Sequence, residues 1–158
     1  MFLILSFLLS ISTFAQSFSF PKHEFDHQQK RFGIEHSFAY QEKGEVKYIL
    51  SILKIKKTLS EDLDQELQNA ISGKKRSQKS PWSKVLVNEK TQLNLNSKTK
   101  GLLAEVSYQQ NNLPQSALLG FVPAGEHYYF IYTSSETLNF NNLKKVFRKF
   151  IQDIRFGL

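Results

Sequence analysis

From Val85 to Thr133 the chain breaks into short apolar runs with brief connections, a spacing that leaves little choice of architecture. The runs are Val85 to Val87, Thr91 to Leu95, Leu102 to Gln109, Ser116 to Val122 and His127 to Thr133. Between them lie Lys98-Thr99-Lys100-Gly101, Asn111-Asn112-Leu113-Pro114 and Pro123-Ala124-Gly125-Glu126, all rich in turn formers. A parallel pair needs a crossover of roughly a dozen residues or more, so connections this short predict antiparallel neighbours.

The part before this region supplies a further hairpin. From Arg31 to Tyr40, Phe32, Ile34, Phe38 and Tyr40 alternate onto one face with His36, leaving Glu35 and Ser37 on the other. Lys43-Gly44-Glu45 reads as a turn, and Val46 to Lys57 returns as an aliphatic run ending in lysines. Leu59, Leu63, Leu67, Ala70 and Ile71 then recur at helical spacing. Thr58 or Ser60 is available as a cap, Glu61 stands three after Thr58, and Gly73 is placed to stop the helix. A second helix is predicted from about Asn141 to Arg155. Leu143, Val146, Phe147, Phe150, Ile151 and Ile154 fall on one side, and Lys144, Lys145, Arg148, Lys149 and Arg155 on the other. Hairpins plus two amphipathic helices define an α+β class, an antiparallel β-sheet flanked by helices.

Residues 2 to 15 are apolar and uncharged, with Thr13 and Ala15 at the −3 and −1 positions of a cleavage site before Gln16. Residues 1–15 therefore read as a secretory signal, and residues 16–158 as a single exported domain, periplasmic or secreted. The run is shorter than the roughly 20 apolar residues that cross a bilayer, and no later stretch is long enough, so no transmembrane segment is expected after signal removal. The chain has no cysteine, which excludes disulfides, thiolate metal sites and cysteine nucleophiles. Its formal charge of +7 belongs entirely to residues after the signal.

The order hairpin, helix, basic loop, antiparallel strands and closing helix resembles the PsbP-like superfamily, which includes the Ran-release factor. The most telling stretch is Gly120 to Phe156, where His127-Tyr128-Tyr129-Phe130-Ile131-Tyr132-Thr133 is followed by a short polar link, Phe140 and Lys145-Val146-Phe147-Arg148-Lys149-Phe150-Ile151. The resemblance implies a PsbP-like α/β/α sandwich used as a non-catalytic binding or assembly module. It carries no catalytic motif and no cofactor to transfer.

Three features bear on chemistry. His23-Glu24-Phe25-Asp26-His27 satisfies H-E-x-x-H, in which two histidines one helical turn apart bind zinc and the glutamate acts as general base. A zinc hydrolase holding the metal on His23 and His27 is thus the alternative reading, although the segment lacks the apolar stripe of a buried helix. Lys74, Lys75, Arg76 and Lys79, with Trp82 at the interface, resemble a contact for anions or lipid headgroups. Lys144, Lys145, Arg148 and Lys149 add a second basic face. The bland account of both is solvated charge. The aromatic strand Tyr128 to Tyr132 is expected to fill a core between two helical layers.

No Gly-rich phosphate loop and no G-x-S-x-G elbow occurs. The expected function is an exported binding module for an unknown protein or anionic envelope component, with no cofactor and no nucleic acid. A secreted effector is a further alternative.

Overall fold

The computed structural model describes residues 25–30, 35–57, 62–79, 81–94 and 99–153. The predicted signal, His23, Glu24 and the Thr58, Ser60 and Glu61 cap lie outside these residues. The strands are β1 (Phe25–Lys30), β2 (Glu35–Glu42), β3 (Glu45–Lys56), β4 (Ser83–Asn94), β5 (Lys100–Gln110), β6 (Leu113–Ala124) and β7 (His127–Glu136). Helix α1 (Leu63–Lys75) follows β3, and a 3-10 turn (Thr137–Asn139) leads from β7 into α2 (Phe140–Asp153). All seven strands form one antiparallel sheet in the order β1-β2-β3-β7-β6-β5-β4.

Local chemistry sets the hairpins. Lys43 and Gly44 both have positive φ, 53° and 81°, and so do Asn111 and Asn112, 52° and 64°. Two successive positive φ values match the right-handed twist of the strands they join, and Gly and Asn tolerate them best. The β2–β3 and β5–β6 turns, the start of β4 and the end of β7 all lie at one end of the sheet. The β6–β7 turn lies at the other. β4 is one strand where alternation predicts two, because register shifts between Ser83 and Leu86 and between Val87 and Glu89 interrupt its pattern. Such bulges at an edge strand discourage pairing with other chains.

β1 is absent from the sequence expectation, which treats its residues as a polar lead-in. It pairs with β2 from Phe25↔Tyr40 to Lys30↔Glu35, and Phe25 enters the core against Tyr40 and Phe150. One large apolar side chain among six residues is too little to show a period of two.

Helix α1 also differs at its ends. Its cap is Asp62, whose carboxylate accepts the Asp64 N–H at 2.8 Å. The helix runs through Gly73 and ends at Lys75, capped where the Arg76 N–H reaches back to Ser72 and Lys74 carbonyls. Gly73 lacks the positive φ of a stop, so it is a tolerated interior glycine, costing about 1 kcal/mol against alanine.

Each helix covers one face. On the α2 face, Leu143, Phe147 and Phe150 pack on Phe38, Leu50, Ile52, Leu118, Tyr129 and Ile131. On the α1 face, Leu67 and Ile71 pack with Trp82, Ala104, Val106, Tyr108, Leu119 and Phe121. Central β6 is buried on both faces, which explains its nearly unbroken apolar run. Gly120 lets β7 sit close, since a Cβ there would stand 3.3 Å from Ile131 Cβ.

The layering predicts unequal costs for two apolar truncations. Phe147→Ala, fully buried, should lower unfolding free energy by about 3–5 kcal/mol. Leu138→Ala, 95% exposed, should stay within about 0.5 kcal/mol. Urea unfolding followed by circular dichroism reads both.

Candidate functional site

The acidic first turn of α1, Asp64 and Glu66, and its basic last turn, Lys74 and Lys75, follow the helix dipole. Past the helix the chain doubles back, with the Ser77 and Trp82 N–H groups both donating to the Lys74 carbonyl, at 3.3 and 3.2 Å. This fold-back carries Trp82 inward. Trp82 stacks on Tyr108 with ring centroids 3.8 Å apart and is only 3% exposed. The expectation of an interfacial indole is therefore corrected: the aromatic slot made by Tyr108 and Tyr132 takes it into the core.

Lys74 is drawn in with it. Its ammonium sits 4.2 Å from the Tyr132 ring centroid and 5.8 Å from that of Trp82, so its charge rests on aromatic faces. Lys75, Arg76 and Lys79 remain at the surface.

The second basic group divides in the same way. Lys145, Arg148 and Lys149 are exposed, but Lys144 is not on their side. It pairs with Glu105 of β5, and the two side chains are 23% and 13% exposed. At 100° per residue Lys144 flanks Leu143, and the helix lies low enough on the sheet for that flank to reach β5. Helical phase alone assigned it to water. The two basic groups also stand on opposite faces of the sheet, so they do not form one surface across the helices.

β7 alternates as expected. Tyr129 and Ile131 face α2, while Phe130 and Tyr132 pack on the α1 side. The Tyr132 hydroxyl donates to Ser134 Oγ at 2.9 Å. The Tyr108 hydroxyl is buried beside this pair without a hydrogen bond of ordinary geometry. Burial first, and the neighbouring Tyr132 second, hold its pKa above the usual phenol value.

Part of the H-E-x-x-H segment lies among the described residues. Phe25, Asp26 and His27 belong to strand β1, while His23 and Glu24 lie outside the described residues. Among the described residues, no three acidic or histidine side chains gather as a metal-binding group.

Among the described residues, shallow concavities lie at strand ends and on the sheet face by β1 to β3. One of about 240 Å³ is lined by Asp26, Gln28, Ser37, Ala39, Val46 and Ile49. Another, of about 230 Å³, is lined by Leu113, Pro114, Glu136, Thr137 and Leu138. The link before α2, expected to be polar, thus carries an exposed leucine. A large apolar residue standing between two elements, out of phase with both, was the signal available in the sequence.

The antiparallel sheet with a helix on each face has the PsbP-like α+β fold. Among solved structures, that of cyanobacterial PsbP (CyanoP) from Synechocystis sp. PCC 6803 matches with a TM-score of 0.63 and 11% identity, covering 88% of this chain and 86% of that one. LpqN, involved in cell envelope biogenesis of Mycobacterium tuberculosis, matches with a TM-score of 0.54 and 13% identity, covering 87% and 82%. A protein of unknown function from Pseudomonas aeruginosa, PA94, matches at 0.53 and 5% identity, covering 80% and 92%. No family profile and no curated protein sequence matches the chain. What is shared is the fold.

Two predictions separate structural from surface groups. Lys74→Gln should cost about 1 kcal/mol of stability through its ring contacts, whereas Lys75→Gln should stay within about 0.5 kcal/mol; thermal unfolding compares them. The second concerns alkaline pH. The unfolded chain releases phenolic protons near a pH of about 10, while folded Tyr108 retains its own. The unfolded state then binds fewer protons, so stability falls as pH rises past that value. Tyr108→Phe should flatten that fall in urea unfolding measured across the alkaline range.

Proposed function

We propose that the protein is an exported, non-catalytic binding or assembly module working in the periplasm or at the cell envelope. Its contacts are made by exposed cations with an anionic or acidic partner. The observation that carries this reading is the fate of the nine candidate residues. Trp82, Lys74 and Lys144 are taken into packing, while Lys75, Arg76, Lys79, Lys145, Arg148 and Lys149 stay at the surface. They do so on a sheet whose two covered faces are filled with aliphatic and aromatic side chains. Cations kept at the surface of a basic protein raise the local concentration of anions with little demand on geometry.

Two further points support it. The apolar first residues read as an export signal, and LpqN, which shares the fold, is involved in cell envelope biogenesis.

The test is affinity capture from the cell envelope with the exported protein, washed at low and then high salt. Material held at low salt should be identified and then challenged with two charge-reversal variants. One joins Lys75→Glu, Arg76→Glu and Lys79→Glu; the other joins Lys145→Glu, Arg148→Glu and Lys149→Glu. Loss of roughly tenfold or more in retention is expected from at least one set, given about 1 kcal/mol for each cation near an anionic surface. Retention indifferent to both sets would count against the proposal.

A further inference from the structure

The sheet has two unlike ends. Val46, Ile49, Leu86, Leu113 and Leu138 are the exposed large apolar side chains among the described residues. All five fall in the half of the sheet nearer the β2–β3 and β5–β6 turns. Val46 lies just past the β2–β3 turn and Leu113 just past the β5–β6 turn. Leu138 occupies the 3-10 turn that leaves the same end of β7. Leu113 is 57% and Leu138 95% exposed, and the two border one shallow concavity.

Charge gathers at this end too. β4 begins here, with Ser83 paired to Gln109, so the loop from α1 into β4 delivers Arg76 and Lys79 to it. Lys75 precedes that loop, Lys84 follows it, and Lys43 stands in the β2–β3 turn. The acids at the same end are Asp26, which accepts from the Gln41 amide, Glu42, Glu136 and Glu45, the last paired with Lys47 at 2.6 Å.

We propose that this end of the sandwich seats the protein on an anionic lipid surface. Leu113 and Leu138 enter the headgroup boundary, and Lys43, Lys75, Arg76, Lys79 and Lys84 are held by lipid phosphates. The proposal rests on the reading of the protein as an envelope binding module and names its partner. Lipid fits better than a protein partner because the apolar side chains form small groups, Leu113 with Leu138 and Val46 with Ile49, with cations on the neighbouring loops. Small groups of this kind do not form the continuous apolar centre of a protein interface, whereas a bilayer surface accepts them without shape matching. Apolar insertion combined with attraction of Lys and Arg to anionic headgroups is sufficient for peripheral binding.

The experiment is co-sedimentation of the exported protein with phosphatidylcholine vesicles and with vesicles of phosphatidylcholine mixed with phosphatidylglycerol. Binding is expected only to the mixed vesicles and should weaken as salt is raised. Leu113→Ser combined with Leu138→Ser should lower partitioning about tenfold or more. Because both side chains are exposed, thermal unfolding should not change. Absence of binding to mixed vesicles at low salt overturns the proposal, as does binding unaffected by the leucine pair. Envelope capture run beside it separates the two readings. A captured protein or glycan without vesicle binding leaves the module reading standing and removes the lipid; failure of both removes both.

Discussion

The pairing of β3 with β7 is the constraint on which the remaining structure depends. On either side of it the chain is assembled from neighbours, β1-β2-β3 as one meander and β4-β5-β6-β7 as another. Only the register from Ser51↔Tyr132 to Lys56↔His127 joins them. The seam is reinforced where Thr133 Oγ1 donates to the Ile49 carbonyl and the Lys57 N–H donates to the Glu126 carbonyl, both at 2.9 Å. It is also covered, since Phe147 and Phe150 of α2 share one cluster with Phe38, Leu50 and Ile52 from one meander and Leu118 and Ile131 from the other. Without this seam each meander would have a half-covered apolar face and an extra unpaired edge.

Much of this was legible in the sequence because a strand with one covered face alternates and a helix with one covered face repeats. The β2–β3 hairpin, the body of α1, β5 to β7 and α2 all declare themselves this way, and the PsbP-like arrangement followed from their order. β1 was hidden because its place is set by β2 and a single phenylalanine. The ends of α1 were misread because glycine permits a stop without requiring one. Trp82 and Lys144 show a different limit. Amphiphilic side chains look alike in sequence whether they lie at a surface or against aromatic rings and a carboxylate, and tertiary contacts alone decide.

The same contacts determine where function can reside. The interior is occupied by apolar packing on both faces, and the candidate cations divide into those that brace the core and those that remain outside. A scaffold of this kind accepts sequence change at its tips and outer helix faces while its centre stays constrained. Fold likeness at 5–13% identity therefore shows the shared architecture, and the surface chemistry of each chain has to be read separately.

The position of α2 after all the described strands has a consequence for the order of folding. The first meander cannot bury Phe38, Leu50 and Ile52 until β7 and then α2 arrive, nearly a hundred residues later in synthesis. Burial on the α2 face thus waits on long-range pairing of β3 with β7, the slow kind of contact to form.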